Sequence, residues 1–328
     1  MKEYRAILAR SFDGPQDVTV GSAERKPLGT TEARIAVKAA GVNFADLMSV
    51  IGTHQDNPPP PFVPGFEIAG EIIELGADTF GLSVGDRVMS GADYGAFADE
   101  IVVDYRLCAT LPDDASYAEG AAMPVAFGTG YTGLVQRGRL RAGQWLLVMG
   151  AGGNIGGGAL QIGQLLAART IAPGGGAEGC ERLMALGADH VFDYRDHDVA
   201  EQVRAITDGH GADVIFDAVT GKAFGNTHAA LARLGRHVTA GAAGGEPPDA
   251  AMMPLITNSA ALVGVDWQHF VRLEPDVAQE ALGTVARWWK RGWIKPPRFA
   301  TRPLEEARSV IEDIAEGKVR EKIVLTTE

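Results

Sequence analysis

Up to about residue 125 the apolar positions follow a period of two. Ile35, Val37 and Ala39 alternate with polar residues or alanine. Strand-like runs recur at Phe66 to Leu75, Arg87 to Met89 and Phe97 to Val103, and Gly76, Gly81, Gly85 and Gly95 punctuate them. Alternation broken by turn glycines predicts short antiparallel strands wound into a compact barrel. The proline run Pro58 to Pro61 reads as an extended loop within that unit.

Then the pattern changes. The apolar run Trp145 to Met149 flows into the glycine turn Gly150 to Gly158 and on into Ala159-Leu160-Gln161-Ile162. Ile155, Ala159, Ile162 and Leu166 recur at helical spacing. A strand, a glycine turn and a helix in that order bring backbone N–H groups and a positive helix terminus to a phosphate. An alternation follows. Thr170 to Ala172, His190 to Phe192, Asp213 to Phe216, Arg236 to Ala240 and Leu262 to Val265 read as strands. Glu178 to Leu186, the segment marked by Val199, Val203 and Ile206, and Phe224 to Leu234 (stopped by Gly235) read as helices. Strands alternating with helices imply a doubly wound parallel sheet, a Rossmann domain over 125–265. Beyond it, Val277, Ala281, Val285 and Trp288 mark a helix. A last helix starts near Pro303, carries Glu305 and Glu306 in its first turn, and ends at Gly317 and Lys318. Ile323 to Leu325 is a closing strand, expected to rejoin the barrel. The domain division is therefore 1–124 with 266–328, and 125–265.

Composition narrows the function. The 328 residues suffice for two domains, and 46% are hydrophobic. A formal charge of −12 argues against nucleic acid or an anionic membrane as the main partner. Met1 to Leu8 lacks an apolar signal core, and no apolar run approaches membrane-spanning length. Two cysteines, Cys108 and Cys180, supply neither a disulfide framework nor a four-thiolate zinc site. A cytoplasmic protein is the expectation.

The segments resemble, nearly end to end, the zinc-free, zeta-crystallin-like quinone oxidoreductases of the medium-chain dehydrogenase/reductase superfamily. AGVNFADLMSVIG (Ala40 to Gly52), PFVPGFEIAGEI (Pro61 to Ile72), VGDRVM (Val84 to Met89) and MPVAFGTGYTGL (Met123 to Leu134) carry the resemblance. LGADHVFDYR (Leu186 to Arg195), Gly235-Arg236 with Gly241, and GKVREKIVL (Gly317 to Leu325) continue it in order. It implies a Rossmann sheet inserted into a GroES-like β-barrel catalytic domain. In related alcohol dehydrogenases, zinc needs a cysteine and a His-Glu pair where this chain has Asn43 and Phe66-Glu67. Asn and Phe do not provide the thiolate and imidazole that zinc prefers, so no metal is expected.

The resemblance also nominates site residues. Asn43 matches the family's asparagine beside the nicotinamide, where its amide would hold a substrate carbonyl or a ribose hydroxyl. The alternative is a polar turn residue satisfying nearby backbone. Asp46 reads as a catalytic group or, equally, as a helix cap. His54 falls where many relatives carry a tyrosine and would donate a proton to a developing enolate, the alternative being an exposed loop histidine. Tyr94 and Tyr131 are further hydroxyl donors, and Thr129 matches the family threonine near the nicotinamide. For the cofactor, Gly152, Gly153, Asn154, Ile155 and Gly156 would approach the pyrophosphate. Thr220 and Gly241 to Gly244 fall at carboxyl ends of strands, where nucleotides bind, although Gly241 to Gly245 reads equally as a loop without a ligand.

Cofactor choice is where the chain departs from the pattern. An acidic residue about 20 positions after the glycines marks an NAD site. Relatives that use NADP often have Ser and Lys there. This chain has Pro173-Gly174-Gly175-Gly176, with Gly179 where the lysine would fall. Arg182, Tyr194 and Arg195 are the remaining candidates for a 2′-phosphate. NADPH is expected on family grounds, with NADH as the alternative.

The leading function is hydride transfer from NADPH to a quinone or other α,β-unsaturated carbonyl. One alternative is an enoyl-thioester reductase, with Arg137, Arg139 and Arg141 facing a CoA-type phosphate. The other is a non-catalytic nucleotide-binding scaffold. The apolar last strand, Ala261 to Val265, suggests a homodimer paired at a sheet edge.

Overall fold

A computed structural model describes residues 3–245, 249 and 252–327. The chain divides into two compact units, Met1–Val125 with Gln268–Glu328, and Ala126–Trp267.

The first unit opens with a hairpin of β1 (Glu3–Ala9) and β2 (Val18–Glu24), which the sequence pattern did not reveal. Then come β3 (Glu32–Val42), α1 (Phe44–Val50), β4 (Glu67–Leu75), β5 (Arg87–Gly91), β6 (Glu100–Asp104), β7 (Cys108–Thr110) and α2 (Tyr117–Ala121). The strand expected from Phe97 starts only at Glu100.

The second unit contains α3 (Pro124–Tyr131, from Ala126 on), β8 (Trp145–Met149), α4 (Asn154–Leu165), β9 (Arg169–Gly174), α5 (Gly176–Ala185), β10 (His190–Asp193) and α6 (Val199–Ile206). It continues with β11 (Ala212–Asp217), α7 (Phe224–Ala229), β12 (Leu231–Thr239), α8 (Met252–Asn258) and β13 (Ala261–Gly264). Its six strands are all parallel, in the order β10-β9-β8-β11-β12-β13. Numbered within the sheet this is 3-2-1-4-5-6, the doubly wound order, and it reverses direction between β8 and β11. Leu146, Leu147, Val148, Ile215 and Phe216 in its centre are fully buried. A strand covered on both faces needs apolar residues on both, which is why β8 reads as a continuous apolar run. The edge strand β13 is largely exposed.

One expected helix is corrected. Phe224 to Leu234 is not helical throughout: α7 ends at Ala229, and Leu231 already pairs with Ala212 of β11. The register then shifts, so that Val214 pairs with Arg236. The residues between form an irregular bulge in which Leu234 takes a φ of 61° and stays 73% exposed. Pairing to β11 wins over local helix preference, and Gly235 lies inside the strand instead of ending a helix.

The C-terminal part of the first unit holds α9 (Trp267–Leu273, from Gln268 on), α10 (Pro275–Lys290), β14 (Phe299–Pro303), α11 (Ala307–Ala315) and β15 (Lys322–Thr326). β15 pairs antiparallel with β3, so this piece rejoins the barrel as expected. The resulting sheet runs β14-β15-β3-β4-β5-β7, with β6 on β3. Among the described residues, no helix is long and apolar enough to cross a membrane.

Candidate functional site

In the first unit the candidate residues gather where β15, β3 and β4 lie side by side. The β3 strand ends at Val42, opposite Ile323 of β15, and Ala40 lies opposite Ile68 of β4. This register sets Lys322, Asn43 and Glu67 at neighbouring strand ends. The Lys322 Nζ donates to Asn43 Oδ1 at 2.7 Å and also to Glu67 Oε1. Asn43 Nδ2 donates to Glu67 Oε1 at 2.8 Å, and the Val125 amide donates to Glu67 Oε2 at 2.8 Å. Lys322 and Glu67 are completely buried. The ammonium must face the Asn43 oxygen and the carboxylate must face its nitrogen, so the amide has one orientation. Gly41 makes room for this cluster. A Cβ there would stand 2.4 Å from Glu67 Oε1 and 2.5 Å from the Ala121 carbonyl.

Asn43 also precedes α1. The Asp46 carboxylate accepts from the Asn43 backbone N–H at 2.6 Å and so caps the helix. Asp46 is fully buried. Burial pushes its carboxyl up to about 7, against the opposing pull of the Asn43 amide and the Lys322 charge, while Glu67 pushes in the same direction as burial.

His54 is buried, contrary to the exposed-loop alternative. Its ring stands 5.3 Å from Phe66, and Tyr94 lies against Phe62 and Phe66. The Tyr94 hydroxyl is 3.1 Å from His54 Nδ1 and donates to Asn57 Oδ1 at 3.1 Å. With its proton on Asn57, the Tyr94 oxygen accepts from His54 Nδ1–H, which fixes the histidine tautomer. Burial, with Asp93, Asp46 and Asp56 behind it, pushes the Tyr94 hydroxyl well up, so it stays protonated. Tyr94 therefore belongs with His54, a link that no spacing in the sequence announced.

The cofactor candidates, with Thr129, lie in the second unit. Thr129 is buried on α3, and its carbonyl accepts from Thr132 Oγ1 at 3.2 Å. At the end of β8, Gly150 turns with a φ of 74°, and Gly153 is the N-cap of α4. Asn154 and Ile155 are the first residues of that helix. A Cβ on Gly152 would meet nothing, so the turn is open to a ligand there. On Gly156 it would stand 2.2 Å from the Gly150 carbonyl, so only glycine lets α4 pack this close to the turn. An open glycine turn beneath a helix N-terminus fits a pyrophosphate.

At the end of β9, Gly175 and Gly176 lie under the side chains that follow β10. A Cβ on Gly175 would come within 2.9 Å of the Tyr194 hydroxyl and 3.1 Å of Arg195 Nη2. On Gly176 it would come within 2.9 Å of Arg195 Nη1. The Asp193 carboxylate accepts from the Arg195 amide at 3.0 Å, and the Arg195 and Gly176 amides hold it below the usual carboxylate range. Gly175 and Gly176 thus leave room for the Arg195 guanidinium. Arg182 lies on an exposed part of α5. Beyond β11, Thr220 Oγ1 donates to the Gly241 carbonyl at 3.0 Å, and the Gly244 amide donates to the Val219 carbonyl at 2.7 Å. Thr220, Gly241 and Gly244 therefore form one paired loop.

Comparison with known proteins places this architecture. Residues 29–113 match the alcohol dehydrogenase GroES-like domain, and residues 186–325 match the zinc-binding dehydrogenase family. The quinone oxidoreductase-like protein 2 homolog of Nematostella vectensis is 32% identical over 332 residues, covering 99% of this chain and 90% of that protein. The mouse quinone oxidoreductase-like protein 2 is 28% identical, with 99% and 93% covered. A crystal structure of a probable oxidoreductase from Mycobacterium abscessus superimposes with a TM-score of 0.85 at 32% identity, with 99% of each chain covered. The chain belongs to the quinone oxidoreductase-like medium-chain dehydrogenase/reductases, oxidoreductases built on a nicotinamide-nucleotide-binding fold.

Proposed function

We propose that the protein is an NADPH-dependent reductase of quinones or other α,β-unsaturated carbonyls that works without a metal. The observation that carries this reading is the donor set around Asn43. A catalytic zinc takes its protein ligands from thiolates, imidazoles and carboxylates. Here Asn43 and Phe66 stand at two of those places, and the Glu67 carboxylate is committed to Lys322, Asn43 and the Val125 amide. With no Lewis acid to activate an alcohol, the fitting substrate has a carbon that is already electrophilic.

The bound nicotinamide would supply the hydride. The Gly152 and Gly153 turn and the first turn of α4 would hold the pyrophosphate through backbone N–H groups. Asn43, locked between Lys322 and Glu67, has a second amide hydrogen that makes only a long 3.5 Å bond to the Gly41 carbonyl, and would offer it to a substrate oxygen instead. His54, doubly protonated with Nδ1–H on Tyr94, would give its Nε2 proton to the enolate or hydroquinone oxygen, become neutral, and be recharged from solvent. Tyr94 fixes the ring and the tautomer without itself ionising.

The purified protein should oxidise NADPH faster than the uncatalysed rate when given a benzoquinone or a simple enone. His54→Phe, which keeps the aromatic packing, should lower kcat by about tenfold or more with KM little changed. Failure of every quinone and enone to oxidise NADPH would remove the reductase reading.

Arg195 supports NADPH over NADH, because a guanidinium beside a glycine loop suits a 2′-phosphate. Arg195→Leu should cut kcat/KM for NADPH by about tenfold to 100-fold and leave NADH within about twofold. Equal losses with both nucleotides would assign Arg195 a purely structural part.

A further inference from the structure

A chain of ionisable groups in the second unit has no part in the function proposed above. Asp217 closes β11, and His237 lies on the neighbouring β12 opposite Ile215. His237 Nε2 is 3.2 Å from Asp217 Oδ2, and both residues are buried. On the other side of the ring, His237 Nδ1 is 3.1 Å from His228 Nδ1 on α7. Phe224 stacks on both imidazoles, at 4.8 Å from His237 and 5.5 Å from His228.

The far end of this chain is a loop. Asp217 Oδ1 accepts from the Val219 and Thr220 amides, each at 2.9 Å. Thr220 sits at φ 52° and ψ −134°, a conformation that costs a non-glycine residue free energy and needs outside support. The next residue, Gly221, has a φ of 58°, and a Cβ on it would stand 2.1 Å from the Gly244 carbonyl. The loop is therefore held in one strained shape against Gly241 to Gly244, and the Asp217 carboxylate holds it from within.

We propose that His237 and His228 are positioning residues that hold Asp217, and through it the nucleotide-side loop from Val219 to Gly221, in a proton-dependent way. The nucleotide part of this inference rests on the cofactor site proposed above.

The proton dependence follows from the geometry. An Nδ1 to Nδ1 contact needs one donor and one acceptor. With Nε2 of His237 donating to Asp217, the contact survives while the two rings share one proton between their Nδ1 atoms. A proton on each Nδ1 sets two N–H groups against each other and breaks the contact. Burial, and His237 behind it, hold His228 below the usual histidine value, so His228 resists a proton near neutrality. Burial pushes the Asp217 carboxyl up, but His237 and the Thr220 and Val219 amides outweigh it and hold it below the usual range, so it stays ionised.

Next to His237 on β12, Arg236 donates to Gln144 and to the Asp213 carbonyl, and feels the charges of Asp213, Arg139 and Arg141. β8 and β13 carry no titratable residue beside His237. On α6, which packs on α7, Arg204 is engaged by the Ala229 carbonyl, and Asp198 by Asn226 and the Glu201 amide. Lys222, within the loop region, is exposed.

The test uses His237→Phe and His228→Phe, which keep a ring in the stack. Hydrogen exchange of the Val219 and Thr220 amides is measured without nucleotide. NADPH affinity is then titrated from about pH 8 to about pH 5.5, across the histidine range. His237→Phe should lose protection at both amides and bind NADPH about tenfold more weakly at every pH. The unsubstituted protein should lose affinity as pH falls, and His228→Phe should show a shallower slope. Unchanged amide protection in a folded His237→Phe protein would overturn the proposal. So would identical pH slopes in all three proteins. If none of them binds NADPH, the cofactor reading fails, and the amide exchange still decides whether the histidines hold the loop.

Discussion

Replacing Lys322 with methionine is expected to destabilise the fold by about 3–5 kcal/mol, the usual cost of leaving one member of a buried ion pair alone. Lys322 and Glu67 are both fully buried, so neither charge can turn to water for compensation. Methionine fills the space of the lysine stem and removes only the charge. Glu67 would keep the Asn43 and Val125 donors, at 2.8 Å each, yet lose the Lys322 ammonium facing it. Asn43 Oδ1 would lose its donor too, so catalysis should suffer along with stability. Urea unfolding measures the first effect as a lower midpoint at an unchanged slope. The pair logic makes a second demand. Lys322→Met with Glu67→Gln should recover most of the loss, because a neutral pair in a dry site costs less than a lone charge. A single substitution costing under about 1 kcal/mol would contradict the buried-pair account. A double substitution costing the sum of both would contradict it as well.

That pair marks the limit of what the sequence disclosed. Periodicity disclosed the Rossmann unit because its central strands β8 and β11 are nearly continuous apolar runs and helices such as α4 and α6 bury one face. The β8 to α4 turn stood out because glycine is demanded at Gly150 by a φ of 74° and at Gly156 by close packing. The hairpin β1–β2 stayed hidden, since its burial alternates too weakly to stand apart from a loop. The strand from Leu231 was hidden for another reason. Its start is alanine-rich and helix-like locally, and only pairing with β11 makes it a strand. In the candidate site, Asn43, Asp46 and His54 came from motif resemblance, but their partners did not. Lys322 lies 279 residues from Asn43, and only the β15–β3 register unites them. Tyr94 reaches His54 across 40 residues of loop and strand. Contacts of that span are set by tertiary packing, which a period of two or of 3.6 does not encode. Arg195 shows the opposite case. The glycines at 175 and 176 read as an eroded site until the guanidinium beside them was located.

Asp46→Asn should remove a stability slope that the unsubstituted protein carries between about pH 4 and about pH 7. The folded-state carboxyl is raised from 3.8 to about 7, mainly by burial. In that window the native protein binds a proton that the unfolded chain has released. Stability therefore falls as pH rises through it. About three units at 1.36 kcal/mol each set an upper bound of about 4 kcal/mol for the loss. Asparagine is neutral throughout, and its side-chain oxygen can still accept from the Asn43 amide. The variant should match the unsubstituted protein near the acid end and exceed it in stability above about pH 7. The difference between the two proteins isolates this group from Asp217, whose lowered carboxyl stabilises in the opposite direction. Parallel stability curves for the two proteins would rule out a buried, titrating Asp46. The same variant separates the two readings of this residue. As a cap, Asp46 acts through the Asn43 backbone, so Asp46→Asn should keep kcat while changing stability. As a proton-transfer group near pH 7, its replacement should abolish one limb of the kcat profile. The geometry favours the cap: Oδ2 accepts from the Asn43 N–H at 2.6 Å, and the residue is wholly buried, with Oδ1 unpartnered. A carboxyl kept in this setting sits in free-energy tension with its burial, and Lys322 is the charge that relieves it. Lys322→Met should accordingly push the Asp46 midpoint higher still, which ties the ion pair, the cap and the orientation of Asn43 into one coupled unit.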